Sequence, residues 1–215
     1  MRIALSPPGY TIARPAQDGH APAGVSIGTK RRQAALVSAL LALACTESAA
    51  VKSGPARTEP VDMVVIHATG GPLCDPVTRK PVWVGAGDLH ENLRNIEAHP
   101  RLGIHYMIDR DGTVRRSVPE HQVAHHVYRH SRRSIAIELI NDGDGRDPFP
   151  QAQIEALVAL VQGIAARHRI GRAGIKRHSD LDATRLPCAP ERRRKVDPGD
   201  AFPYDQVLHR VFEGR

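Results

Sequence analysis

Three polar positions in this 215-residue chain have side chains and settings suited to metal chemistry: His67, His178 and Asp197. His67 directly follows the apolar run Met63-Val64-Val65-Ile66. A side chain there leaves the end of a strand on a rigid backbone, which suits a metal ligand. Taken alone, a hydrogen-bonded structural histidine is the plainer reading. His178 lies in Arg177-His178-Ser179-Asp180 after a glycine-containing loop and carries the same two readings. Asp197 sits in Val196-Asp197-Pro198-Gly199, which by itself is strong turn chemistry. Each position is weak evidence alone, so the elements that position them matter.

Met63 to Ile66 is too continuously apolar for a half-exposed strand and reads as a buried central one. From Ala68 to about Gly87 the chain is expected as loop, with Gly70-Gly71-Pro72 and further Pro and Gly, before a helix from about Asp88 to Ala98. Ile104 to Ile108 and Thr113 to Val118 flank Asp109-Arg110-Asp111-Gly112, and Asp-Gly between two strand-like runs predicts a hairpin. From Ser134 to Ile140, Ile135, Ile137 and Leu139 alternate with Ala136 and Glu138, which predicts a strand with Glu138 turned away from the isoleucines. Ile154, Leu157, Val158, Val161, Ile164 and Ala165 follow a three-four spacing, so a helix is expected from about Pro150 to His168, with Pro150 in its first turn. Tyr204 to Phe212 reads as a short helix with Val207, Leu208 and Val211 on one side. The expected fold is α/β: a single domain, residues 61–213, with a central mixed β-sheet flanked by helices.

Composition narrows the function. Apolar residues are 41% and charged residues 25%, which excludes wholesale disorder, and 4% aromatics means an aliphatic core. The formal charge of +7 would suit nucleic acid, but residues 1–58 hold seven Lys/Arg against two Asp/Glu. The basic excess belongs to the leader, so no nucleic-acid partner is expected. Residues 1–29 are rich in Pro, Gly and Ala without an apolar period and read as a disordered or mis-called extension. Lys30-Arg31-Arg32 then precedes the apolar run Ala34 to Ala44, the grammar of a secretory signal over residues 30–45. A helix of that run rises only ~16 Å against the ~30 Å hydrocarbon layer, so it is not a spanning anchor. A buried core helix is the alternative. Leu41-Ala42-Leu43-Ala44-Cys45 resembles a bacterial lipoprotein signal, which implies a lipidated Cys45 and, with Thr46 rather than Asp next, an outer-membrane anchor facing the periplasm. Residues 46–60 have the composition of a tether.

Together the motifs resemble the zinc N-acetylmuramoyl-L-alanine amidases of the type 2 class, related to peptidoglycan recognition proteins. The resemblance covers residues 61–212. It rests on Val65-Ile66-His67-Ala68-Thr69, on His105-Tyr106-Met107-Ile108-Asp109-Arg110-Asp111-Gly112-Thr113 with Val118-Pro119-Glu120, and on Ser134-Ile135-Ala136-Ile137-Glu138. It continues in His178-Ser179-Asp180 and Lys195-Val196-Asp197-Pro198-Gly199 with Phe202-Pro203-Tyr204. The likeness implies Zn²⁺ held by His67, His178 and Asp197, leaving a fourth tetrahedral position for water, as in catalytic zinc sites. It implies that Glu138 relays the proton from water to the leaving amine, that Lys195 holds the developing oxyanion, and that Tyr106 orients substrate or water. An exposed strand carboxylate, a solvated lysine and a half-buried strand tyrosine are the plainer readings of those three. His126 is assigned to the cleft wall, and Asp180 to outer support of the His178 loop.

The spacing between His178 and Asp197 is longer than usual for the family, so Leu181 to Arg194 reads as an inserted loop. It contains Cys188, a rival third ligand. With Cys45 lipidated, Cys74 and Cys188 remain, both in loops after a zinc histidine, and a disulfide between them is expected. The implied reaction is hydrolysis of the amide between the lactyl group of N-acetylmuramic acid and L-alanine of the peptidoglycan stem peptide. Substrates are peptidoglycan or muropeptides, with Arg110 or Arg115 as candidates to meet peptide carboxylates. A monomer is expected. The rival readings are a non-catalytic peptidoglycan-binding module and a cytoplasmic amidase recycling anhydro-muropeptides.

Overall fold

The computed structural model describes residues 52–214; the extension, the signal with Cys45 and the first part of the tether lie outside the described residues. In chain order the elements are β1 (Met63–Ala68), β2 (Gly71–Cys74), β3 (Pro81–Val84), α1 (Leu89–Ala98), β4 (Tyr106–Ile108), β5 (Val114–Arg116), β6 (Ser134–Leu139), α2 (Gln151–His168), β7 (Ile175–Arg177), α3 (His178–Leu181), β8 (Arg185–Leu186), β9 (Ala189–Arg193) and α4 (Tyr204–Phe212). Five strands form one sheet in the order β5-β4-β6-β1-β7. β1 runs parallel to β6 and β7, β4 runs parallel to β6, and β5 is antiparallel to β4, so the sheet is mixed as expected.

Strand alternation gives this sheet two different faces. Val64, Ile66, Tyr106, Ile108, Ile135, Ile137 and Leu139 join α2 residues Ile154, Leu157, Val161 and Ile164 and α4 residues Val207, Leu208 and Val211 in one aliphatic core. Leu157 is fully buried there, and a buried leucine of this kind contributes about 1.5–3 kcal/mol by transfer alone. The apolar stripe of α2 is the one the spacing predicts, although Pro150 stands at the cap position rather than within the first turn. On the other face Met107 and Ala136 pack with Ile104 and with Leu89 of α1. Asp88 caps α1 by accepting from the Glu91 backbone N–H.

The expected hairpin joins β4 and β5: the Asp109 N–H donates to the Thr113 carbonyl at 2.9 Å, and Gly112 adopts φ +88°, a conformation open chiefly to glycine.

Three sequence expectations need correction. The stretch after His67 is not all loop, because β2 and β3 pair antiparallel from Gly71↔Val84 to Cys74↔Pro81. Within Leu181–Arg194, β8 and β9 form a second small hairpin. The tether does not extend to residue 60. Lys52 Nζ donates to the carbonyls of Ile96 and His99, which the end of α1 leaves open, and to that of Leu102 just beyond it, at 2.5–2.7 Å. Ala56 bridges Gln122, and the Arg57 guanidinium donates to the carbonyls of Glu120, Gln122 and Ser134. Residues 52–60 are thus part of the folded domain.

Candidate metal centre and active site

The sheet register assembles the site. β1 and β6 set His67 beside Glu138, and β4 sets Met107 beside the same Glu138. Residues paired across a sheet share a face, so all three side chains line one cleft, of about 350 Å³, on the side away from α2 and α4. β7 flanks β1 on its other side and ends at Arg177, so α3 starts with His178 at the same sheet edge. Asp180 accepts from the Arg177 backbone N–H at 3.0 Å and from its guanidinium at 2.8 Å, closing that turn. Asp180 therefore supports the backbone carrying His178 and not its ring, whose Nε2 has Asp182 Oδ2 nearby at 3.8 Å. Asp197 arrives on the Pro198-Gly199 turn, where Gly199 has φ +88° and an added Cβ would stand 2.7 Å from the Gly143 carbonyl oxygen. A side chain at 199 would push Asp197 out of place.

The three donors converge. His67 Nδ1 lies 2.8 Å from His178 Nδ1 and 3.3 Å from Asp197 Oδ2, and His178 Nδ1 lies 2.9 Å from that oxygen. Donors at ~2.0–2.1 Å from one tetrahedral ion stand ~3.3 Å apart, so the set fits a small divalent metal with little movement. All three residues are at most 6% exposed, leaving the cleft as the approach. Burial pushes the His67 imidazole down to about 4, against the pull of the Asp197 carboxylate beside it, so it is neutral and able to ligate at physiological pH. Burial would raise the Asp197 carboxyl, but the His178 and His67 rings against it outweigh that and hold it well below the usual carboxylate range.

Glu138 and Lys195 line the same cleft. Burial raises the Glu138 carboxyl to about 8, repulsion from Asp197 adds to this, and Lys195 offsets part of it. His126 also reaches the site, with Nδ1 2.9 Å from His67 Nε2.

Tyr106 does not. It pairs with Ile137, one residue out of phase with Glu138, and so points into the α2 side of the sheet. Its hydroxyl donates to Glu120 Oε1 at 2.5 Å, and burial pushes the phenol up to about 12. The period of two in a strand gives the cleft to Met107 and removes Tyr106 from any part in orienting substrate. Cys188 is no ligand either, since it forms a disulfide with Cys74. Arg110 pairs with Asp147, and neither Arg110 nor Arg115 lines the cleft; Arg194 and Lys195 are its basic residues.

Two buried residues of the quoted motifs, to which the sequence assigns no role, also contribute. His105 Nδ1 accepts from the Ala136 N–H at 2.9 Å and joins β6 to the segment before β4. Ser134 Oγ lies 2.9 Å from His126 Nε2. Their roles have no marker short of knowing which strands are neighbours.

The chain is 34% identical over 145 residues to the 1,6-anhydro-N-acetylmuramyl-L-alanine amidase AmpD of Enterobacter cloacae, covering 64% of this chain and 70% of that protein. It is 36% identical over 105 residues to the N-acetylmuramoyl-L-alanine amidase AmiD of Escherichia coli (strain K12), covering 42% of this chain and 35% of AmiD. The solved complex of AmiD with anhydro-N-acetylmuramic acid-L-Ala-D-γ-Glu-L-Lys superposes with a TM-score of 0.53 at 27% identity, covering 69% of this chain and 56% of that one. The peptidoglycan recognition protein PGRP-SA of Apis mellifera shares the fold, with a TM-score of 0.51 at 17% identity over 71% of this chain and 84% of that one. Residues 57–200, which include every donor around the cleft, match the N-acetylmuramoyl-L-alanine amidase family Amidase_2, and the chain belongs to that family.

Proposed function

We propose that this protein is a zinc hydrolase that cleaves the amide between the lactyl group of N-acetylmuramic acid and the L-alanine of the peptidoglycan stem peptide. The observation that carries the reading is the meeting of His67, His178 and Asp197 around one point, with Glu138 on the neighbouring strand beside them. His67 Nδ1, His178 Nδ1 and an Asp197 oxygen would hold the ion, whose chemistry is to polarise the amide carbonyl and lower the pKa of water toward ~7. Glu138 accepts the proton of the attacking water at its carboxylate and delivers it to the departing alanine nitrogen. An acid raised to about 8 is suited to both halves of that exchange near neutral pH. Lys195, close enough to act on Glu138, places its ammonium where negative charge grows on the carbonyl oxygen.

The proposal includes location. The reading extends to a periplasmic, outer-membrane lipoprotein, supported by the leader ending at Cys45 and by the Cys74–Cys188 disulfide, which suit an oxidising compartment. Retention of all three donors and Glu138 favours catalysis over mere binding. Mass spectrometry of muropeptides incubated with the purified chain and Zn²⁺ tests the activity, with release of free stem peptides expected. Equal release by His67→Ala sinks the metal assignment, and recovery of the protein only from the soluble fraction of cells sinks the anchor.

A further inference from the structure

A chain of hydrogen bonds leads away from the metal-facing side of His67. His67 Nε2 meets His126 Nδ1 at 2.9 Å, His126 Nε2 meets Ser134 Oγ at 2.9 Å, and Ser134 Oγ donates to the His130 carbonyl at 2.8 Å. A serine hydroxyl has one proton, and a neutral imidazole has one N–H and one bare nitrogen. With the Ser134 proton given to His130, Ser134 Oγ must accept from His126, so the His126 proton is on Nε2. His126 Nδ1 is then bare and accepts from His67 Nε2–H. His67 Nδ1 is left with its lone pair toward the point between itself, His178 and Asp197 where the ion would sit.

We infer that His126 and Ser134 are positioning residues that set the tautomer of His67 and so present Nδ1, not Nε2, to the metal. The loop is built to hold His126 still. Its backbone N–H and that of Val127 both donate to Ser131 Oγ, at 3.0 and 3.1 Å, and Ser131 Oγ donates back to the Val127 carbonyl at 2.7 Å. Ser134 is fully buried at the first position of β6, the strand that also carries Glu138. The His67 and His126 ring planes are 82° apart with centroids 5.1 Å apart, so the 2.9 Å line between the two nitrogens runs nearly along the line of centres, where the ring N–H and lone pair lie. A polarised partner behind a ligating imidazole fixes its tautomer and raises its basicity, and removing such partners typically costs 10–100-fold in metal affinity.

The inference rests on the metal site proposed above, and the experiment separates the two. Zinc affinity is measured by competition with a chromophoric chelator for wild type, Ser134→Ala and Ser134→Thr, with melting curves as a check on folding. The expected result is a 10–100-fold loss for Ser134→Ala and near wild-type affinity for Ser134→Thr, which keeps the hydroxyl. In parallel, ¹⁵N-labelled imidazoles of the zinc-loaded wild type are read by long-range ¹H–¹⁵N correlation, with protonated Nε2 expected at both His67 and His126. This second measurement needs no variant to fold. Zinc bound equally by wild type and Ser134→Ala, or a His126 proton found on Nδ1, overturns the relay and leaves the metal site standing. Failure of wild type to bind zinc overturns both.

Discussion

Replacing Glu120 by glutamine removes a charge the fold has enclosed outside the cleft, and the cost follows from what touches it. Glu120 is mostly buried, with a side-chain exposure of 17%. Burial alone would raise its carboxyl, but bonds from Arg167 (2.6 Å), the Tyr106 hydroxyl and His168 (2.7 Å) outweigh that and hold it at about 2 against an ordinary 4.5. At about 1.4 kcal/mol per tenfold change in proton affinity, that difference amounts to about 3 kcal/mol. The half-exposed Arg167 is screened by water, so about 2–3 kcal/mol is the expected gap between wild type and Glu120→Gln at pH 7. The sign is definite: the folded-state value is depressed, so the stabilisation is complete above the unfolded value near 4.5 and is lost as pH falls toward about 2. Urea unfolding of both proteins at pH 7, 5 and 3 should show the gap shrink to about 1 kcal/mol at pH 3. A gap that stays constant with pH, or is missing at pH 7, would falsify the claim that this carboxylate is held ionised by its neighbours.

Further outcomes are expected at the cleft and its rim. Glu138→Gln should lower kcat about 10²–10⁴-fold in a muropeptide assay while zinc binding persists. The same variant in metal-free form should melt higher than wild type near pH 8, because the raised Glu138 carboxyl makes folding oppose its ionisation as pH climbs from 4.5 toward about 8. Lys195→Ala should reduce kcat about 10²-fold, measured at saturating substrate; an unchanged kcat removes Lys195 from the reaction. Tyr106→Phe should keep full activity yet lose about 1–2 kcal/mol of stability by urea titration, since its hydroxyl serves Glu120 and not the cleft. Replacing Cys74 and Cys188 with serine opens a loop spanning 114 residues and should cost about 2–4 kcal/mol; an unaltered melting temperature argues against the bridge.

Much of the scaffold was legible because it depends on short-range periodicity. The three-four spacing from Ile154 to Ala165 could serve only as one face of a helix, and the alternation Ile135-Ala136-Ile137-Glu138 dictated which side chains share a side. β7 leaves no signal because three residues show no period, and the β2–β3 stretch reads as loop because its Pro and Gly mimic one. Residues 52–60 read as tether because Lys52 and Arg57 look solvated in sequence, while their partners are carbonyls brought near only by folding.

The sequence by itself determined the kinds of donor present and the face on which each strand residue points, since bonding geometry sets those locally. That His67 and Glu138 stand side by side and that Tyr106 falls one residue out of phase with them were decided by strand order and register. Those are properties of non-local pairing, and no local pattern along the chain encodes them.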